Sequence, residues 1–391
     1  MRSAHVVLNR SATETVRRGH PWVFRAAGRG LPNGIPSGTD VRVLAADESL
    51  LGHALHDANS PIAFRMFTAD DTAIDATLFG ERIARALAVR VASIDESRTN
   101  AYRVLHGEGD RMPGFVVDRY DRVAVVRTDG EAAEARTGEF AEALLPALER
   151  LGVDTVGVRR AEKGKAPTWE VLRGSRIPDV VTVREHGVPF VVDVAKGQKT
   201  GAFLDQRENR RRVGEMARGK RVLNLFSYAG GFSLHAAVGG ARQVTSVDIA
   251  SGAHATAMAS FRAAGLDPKA HDFVTADCFA FLAEAEKKGR TWDLVISDPP
   301  SFAPSEKALA RAVSAYRALH RACTRVLAPG GTFCASSCSS HVSHDVFADT
   351  LDDITLEHRG LRLLETFGPP ADHPTLPAWP EGRYLKFFVL A

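Results

Sequence analysis

The sequence predicts an α/β fold: a doubly wound, mostly parallel seven-stranded sheet in the C-terminal half, preceded by a β-rich module and a small α+β domain. Three observations predict it. From about residue 189, apolar strand candidates at 222–226, 244–247, 273–275, 294–297 and 332–335 alternate with helical stretches. Two further apolar runs, 361–367 and 384–390, flank a proline-rich loop and are placed to close the sheet as an antiparallel pair. Short β segments broken by turns fill the first 72 residues instead. A chain of 391 residues suits two or three domains, here 1–72, 73–188 and 189–391.

Within 1–72 the β segments are at 6–8, 41–44 and 62–65, with a turn cluster at 28–34. Arg18, His20, Trp22 and Arg25 lie close together there. Cations suit phosphates and aromatic faces suit bases, so these four are candidate RNA-binding residues; a solvated arginine face beside core aromatics is the alternative. In 73–188, Leu78, Ile83, Leu87 and Val91 recur at helical spacing. Strand runs follow at 102–105, 115–117 and 123–126, then a helix over 132–151, then strands near 155–158, 170–172 and 180–183. No catalytic cluster is visible in this region, which reads as a spacer or part of an RNA cradle.

Composition narrows the function classes. Hydrophobic residues make up 45% and charged residues 25%, the balance of a folded globular chain. A net charge of +3 and a pI near 8.7 are compatible with a nucleic-acid partner without requiring one. No run reaches the roughly 18 apolar residues of a membrane span, and the N-terminus has no apolar signal core. The four cysteines, at 278, 323, 334 and 338, form no C-x-x-C pair, so neither a disulfide framework nor a metal site is expected. A reducing cytoplasm fits best.

The candidate ligand site follows the strands of the C-terminal half. The first strand runs into Phe226, Ser227, Tyr228, Ala229 and Gly230. Glycine at a strand-to-helix turn admits close approach of a ligand to the backbone. The spacing is not G-x-G-x-x-G, which disfavours a dinucleotide. The second strand ends at Asp248, placed to accept from ribose hydroxyls, and the third at Asp277, within reach of an adenine amino group. Cys278 follows and either lines the same pocket or packs. Each acid alone would pass for a helix cap; three features in order at successive strand ends indicate a nucleoside-bearing ligand. The fourth strand ends in Asp298-Pro299-Pro300, a rigid loop that holds a carboxylate at the sheet edge.

The helix over 305–327 meets Pro329-Gly330-Gly331, a stop signal, before the fifth strand. That strand leads into Ser336-Ser337-Cys338-Ser339, which puts a thiol on the same face. Carbon 5 of cytosine is a poor nucleophile until a thiolate adds to carbon 6, so a cysteine here has a chemical use. Buried packing is the alternative, and it is the reading for Cys323 and Cys334.

Longer stretches carry a resemblance over essentially the whole chain. They are Arg18-Gly19-His20-Pro21-Trp22-Val23-Phe24; His106-Gly107-Glu108-Gly109-Asp110; Val116-Val117-Asp118-Arg119-Tyr120; and residues 197–210, GQKTGAFLDQRENR. Phe226-Ser227-Tyr228, Asp-Pro-Pro, Ser-Cys-Ser, Ala371-Asp372-His373-Pro374 and residues 380–386, PEGRYLK, complete the set. The chain resembles the bacterial large-subunit ribosomal RNA cytosine-C5 methyltransferase I family. The resemblance implies an N-terminal PUA domain, a central α/β domain and a Rossmann-like class I methyltransferase domain. It implies S-adenosylmethionine as cofactor, and as substrate one cytosine of 23S ribosomal RNA, naked or in a large-subunit precursor. Gln206 matches a glutamine that contacts the cofactor in related carbon-5 pyrimidine methyltransferases. The expected cofactor contacts are therefore Gln206, Phe226, Ser227, Tyr228, Gly230, Asp248, Asp277, Cys278 and Asp298, with Cys338 and Asp298 catalytic. A second thiol after the fourth-strand loop, present in many cytosine methyltransferases, is absent here, and Ser301 stands where family members often have lysine. No membrane contact is expected; a homodimer is compatible with the sequence. Two other readings stand beside this one: a guanine or adenine nitrogen methyltransferase, which needs no thiol, and a non-catalytic RNA-binding assembly factor.

Overall fold

The computed structural model describes residues 4–31, 34–160, 167–357 and 360–391. Pro32 and Asn33 of the expected turn cluster lie outside the described residues. The chain forms two compact units, Met1–Val181 with Asp193–Ala202 and Ala371–Gly382, and Thr182–Val192 with Phe203–Pro370 and Arg383–Ala391.

The first unit opens with β1 (His5–Leu8), α1 (Arg10–Arg17), β2 (Trp22–Phe24), β3 (Gly28–Arg29), β4 (Asp40–Leu44), β5 (Leu50–His56) and β6 (Ile62–Met66). They form one sheet in the order β2-β6-β5-β4-β1-β3. Alternation sets its faces: Val41 and Val43 of β4 are fully buried, while Arg42 between them points outward to Asp71. Asn9 caps α1, its side chain accepting from Ala12 N.

Next come α2 (Ala76–Ser93), β7 (Ala101–His106), β8 (Phe115–Tyr120), β9 (Val123–Thr128), α3 (Glu131–Ala135), α4 (Thr137–Arg150), β10 (Thr155–Arg160) and β11 (Thr168–Arg173). The strands order as β11-β10-β9-β8-β7. Phe79 of α2, Phe115 and Phe140 meet in the core, the last two stacked at 4.3 Å. Two expectations change here. Val91 is 69% exposed, and the buried stripe of α2 runs through Phe79, Ile83, Ala86 and Arg90. A buried arginine disguises that stripe: Arg90 pairs with both oxygens of Asp110 at 2.7 Å and also donates to Arg103 O and Asp372 O. The expected single helix over 132–151 is two, because Arg136 leaves helical geometry (φ −103°, ψ 10°).

The hairpin β12 (Val180–Glu185) and β13 (Val188–Asp193) turns at His186 and Gly187, both with positive φ. The second unit continues with α5 (Arg207–Met216), β14 (Arg221–Leu225), α6 (Gly231–Val238), β15 (Gln243–Asp248), α7 (Ser251–Ala263), β16 (Asp272–Thr275) and α8 (Cys278–Lys287). It ends with β17 (Trp292–Ser297), α9 (Leu309–Arg325), β18 (Leu327–Ser337), α10 (His344–Asp349), α11 (Asp352–Glu357), β19 (Leu363–Phe367) and β20 (Lys386–Leu390). Among the described residues the sheet has seven strands in the order β16-β15-β14-β17-β18-β20-β19. The first five are parallel, and β20 inserts antiparallel between β18 and β19. Strand order reverses between β14 and β17, so a crevice opens at the C-terminal strand ends there.

Pro329-Gly330-Gly331 does not end the helix. α9 stops at Arg325, and the three residues lie inside β18, where the register against β17 slips between Trp292↔Leu327 and Leu294↔Thr332. A proline and an αL glycine are tolerated there as a bulge, since the ladder is interrupted in any case.

One buried ion cluster anchors α5. Glu185 is fully buried and accepts from Arg210 Nε at 2.7 Å and Nη2 at 2.5 Å, with His235 Nε2 3.0 Å away. Burial opposes its ionisation, but Arg210 and His235 outweigh burial and hold the carboxyl well below the usual carboxylate range. Glu185→Ala strands a buried guanidinium and should cost about 3–5 kcal/mol in urea unfolding, whereas replacing Glu185 and Arg210 together by leucine should cost less than the single change.

Candidate active site

Backbone geometry builds the first wall. β14 ends at Leu225, and Phe226 (φ 56°) and Tyr228 (φ 46°) then adopt the left-handed region, which is unusual for bulky side chains. Gly230 follows at φ 73°, where a Cβ would come within 2.8 Å of Ala257 Cβ, so the turn needs glycine. The strained turn is pinned from below. Ser227 N donates to Val247 O at 3.0 Å and Tyr228 N to Asp248 Oδ2 at 2.8 Å. Phe226 N donates to the Cys278 sulfur at 3.3 Å. Ser227 is buried, and its Oγ has no hydrogen-bond partner.

The three acids take different roles. Asp248, half-buried at the end of β15, holds the turn with Oδ2 and accepts Ala250 N at 2.8 Å with Oδ1. Each oxygen keeps a second lone pair for a ligand hydroxyl. Asp277 is exposed and caps α8, accepting from Ala280 N at 2.9 Å. Cys278 is buried behind the turn, where burial pushes its thiol up to about 12. Two residues not anticipated from the sequence join them: Ile249, directly after Asp248, is 75% exposed, and Phe279, in the first turn of α8, is 38% exposed. Apolar side chains left open beside a strand-end acid suit a flat ring. An aliphatic residue following the acid was the available signal.

Gln206 gathers the second wall. It is buried at the entrance to α5; its Nε2 donates to Asp298 Oδ1 at 3.0 Å and Ser336 Oγ at 3.1 Å, and its Oε1 accepts from Asn209 Nδ2 at 2.7 Å. It thereby joins the ends of β17 and β18. Just past β18, Cys338 is half-buried, with its sulfur 3.9 Å from Pro299 O. Cys323 and Cys334 are fully buried, and burial raises both thiols, that of Cys334 to about 12. Cys338 is the one cysteine with an accessible side chain. Its neighbours are fixed as well: Tyr316 OH donates to Ser337 Oγ at 2.9 Å, and Ser301 and Ser339 hydroxyls meet at 2.8 Å. Tyr316 is fully buried in the core of this unit, and only its hydroxyl reaches the serines on either side of Cys338.

The N-terminal candidates sit in the first unit. Arg18 is exposed. Arg25 donates to the carbonyls of Asp57, Ala58 and Ser60, each at 2.8 Å. Trp22 Nε1 donates to Glu108 at 2.7 Å, and its ring meets Trp379 edge-on at 5.4 Å. His20 Nε2 is 3.3 Å from Glu381. The His-Pro-Trp and Glu-Gly segments are thus packed against each other inside this unit.

Comparison with known proteins agrees with this geometry. A family described as S-adenosylmethionine-dependent methyltransferase matches residues 156–384, and a PUA-like domain matches 6–69. A relative from Photobacterium profundum, named ribosomal RNA large subunit methyltransferase I, is 36% identical over 98% of both chains. One of the same name from Alteromonas mediterranea is 35% identical over 99% of this chain and 98% of its own. A methyltransferase crystallised with SAH superposes with a TM-score of 0.86 at 25% identity over 100% of both chains. A Streptococcus mutans protein with the same TM-score, 24% identical over 99% of both chains, shares the fold.

The residues present fit S-adenosylmethionine. The turn after β14 carries an orphaned buried Ser227 hydroxyl and is held by the strand-end carboxylate of Asp248, a donor and an acceptor suited to a nucleoside. Asp248→Asn removes a charged acceptor, so SAH affinity by titration calorimetry should fall by about 1.5–3 kcal/mol, roughly ten- to a hundredfold. The chain belongs to the S-adenosylmethionine-dependent methyltransferase family, among the ribosomal RNA large subunit methyltransferase I proteins.

Proposed function

We propose that this protein methylates carbon 5 of one cytosine in 23S ribosomal RNA, through a covalent adduct between Cys338 and carbon 6. The observation that carries this reading is the accessible thiol just past β18, beside the Asp298-Pro299-Pro300 loop. A nitrogen methyltransferase would have no use for it. The relatives' name points to large-subunit ribosomal RNA as the substrate.

The target base is extruded, since its ring carbons are out of reach in a stack. Asp298, held by Gln206, binds the base edge and shares a proton with ring nitrogen 3 as charge develops. The Cys338 thiolate adds to carbon 6, and the electron pair of the 5,6 double bond makes carbon 5 enamine-like. S-adenosylmethionine, when bound, supplies the electrophilic methyl group that carbon 5 takes up. Loss of the carbon-5 proton to a base then restores the double bond and expels Cys338 as thiolate. In this scheme the PUA-like region 1–72 and the region 73–188 hold RNA by backbone and shape, with the exposed Arg18 and Arg25 on the contacting face and His20 and Trp22 packed within the unit behind them. The cofactor itself is held by the Phe226–Gly230 turn, Asp248 and Asp277, with Cys278 bracing that turn from behind and Gln206 and Asp298 at its methyl end.

Two measurements test the scheme. Purified protein and S-adenosylmethionine, incubated with 23S RNA from a strain lacking the gene, should yield 5-methylcytidine by nucleoside mass spectrometry; methylated guanosine or adenosine would move the chemistry to a nitrogen. Cys338→Ala should lower turnover by at least about a thousandfold while SAH still binds, because the thiol acts on the base and not on the cofactor.

A further inference from the structure

Beneath the Cys338 loop lies a buried cation that the methyl-transfer scheme does not use. Lys386 opens β20 and is 2% exposed. Its Nζ donates to Ser339 O at 2.6 Å, Val342 O at 2.7 Å and Tyr384 O at 2.8 Å. An ammonium has three donors and no acceptor, so its hydrogen bonding is complete, and it does not act as a base while so held. Two of the three acceptors belong to the segment directly after Cys338. Its three partners are neutral carbonyls and not carboxylates. A buried positive charge without a counter-ion costs several kcal/mol, which asks for a compensating use.

Titratable groups around the loop come from each element packed against it. Asp298 lies at the end of β17, Tyr316 on α9, and His341 on the loop itself, its Nδ1 3.3 Å from Ala303 O. Tyr384, which precedes β20, donates to Asp205 Oδ2 at 2.7 Å. Burial raises the Tyr316 phenol, so it stays neutral. An ionised carboxylate at Asp298 opposes ionisation of a thiol in the same cluster, and Lys386 is the cation on hand to offset it. Burial lowers the Lys386 ammonium to about 8, and Cys338 pulls in the opposite direction. The coupling is reciprocal: what a thiolate does for the ammonium, the ammonium does for the thiolate.

We propose that Lys386 is the positioning residue for the nucleophile: its ammonium fixes the Ser339–Val342 segment through backbone carbonyls and supplies the charge that stabilises the Cys338 thiolate. This rests on Cys338 being the nucleophile, so the test reads the thiol directly, without RNA or cofactor. The full-length protein is alkylated with iodoacetamide from about pH 6 to 10, and modification of Cys338 is followed by peptide mass spectrometry, the three buried cysteines serving as unreacted controls. The wild-type midpoint should fall at least about one unit below the 8.5 of an ordinary thiol. In Lys386→Met it should rise by about one unit or more, with kcat reduced and KM for RNA little changed. Lys386→Arg, which keeps the charge, should retain most of the shift. A role confined to packing would lower thermal stability and leave the alkylation midpoint where it was. A wild-type midpoint at or above 8.5 overturns the proposal even if Lys386→Met does not fold, and so does a folded Lys386→Met with the wild-type profile. If the midpoint shifts as expected but no 5-methylcytidine forms in the wild type, the Lys386–Cys338 pairing stands and the cytosine reading fails.

Discussion

The candidate site hangs on one neutral side chain. Gln206 is buried where α5 begins, and its amide bonds Asp298, Ser336 and Asn209 at once. β17 and β18 are already paired along their length, but a sheet ladder says nothing about where the residues beyond its end will point. The Gln206 amide makes that decision for both strands. A charged side chain would carry a larger desolvation cost in the same place, and an aliphatic one would leave the acid and the hydroxyl unjoined. One turn later, Arg210 and Glu185 fix the helix that carries Gln206, so the amide is held from behind as well as in front.

Opposite this wall, the structure stores strain. Two bulky residues in the left-handed region, at Phe226 and Tyr228, cost of order 1–3 kcal/mol each and persist only when the surroundings over-determine them. Asp248 and Cys278 supply that determination by accepting the turn's backbone N–H groups. The two cysteines beside these walls differ in their surroundings. Cys278 is buried, kept protonated and structural, while Cys338 is accessible and set among fixed hydroxyls and a cation.

The N-terminal unit shows how buried charge hides a fold's logic from its sequence. Arg103 binds both oxygens of Asp118, whose Oδ2 also accepts from Thr200, while Tyr120 OH meets Thr200 at 2.9 Å and accepts from Ala202 N. The 116–120 and 197–202 stretches singled out by resemblance are therefore two sides of one polar network. Likewise Asp372 accepts from Arg103 N, and its carbonyl accepts from Arg90, which ties the 371–374 stretch to the strands of this unit. Motifs that read as isolated signatures along the chain are partners in space.

Some of this was legible in the residues alone. The β–α alternation, the glycine turn, the strand-end acids and the Asp-Pro-Pro loop follow from local patterns of period and turn chemistry, because each is decided within a few residues of sequence. The antiparallel closing pair was legible for the same reason. What the sequence misread were places where a distant partner overrides the local rule: Arg90 buried on a helix face by Asp110, and Pro329-Gly330-Gly331 absorbed as a bulge because β17 still pairs on either side of it. It also could not show that Lys386, more than forty residues beyond Cys338, lies beneath the same loop. Burial and charge are properties of surroundings, and surroundings are assembled from residues far apart in the chain; only the tertiary structure decides them.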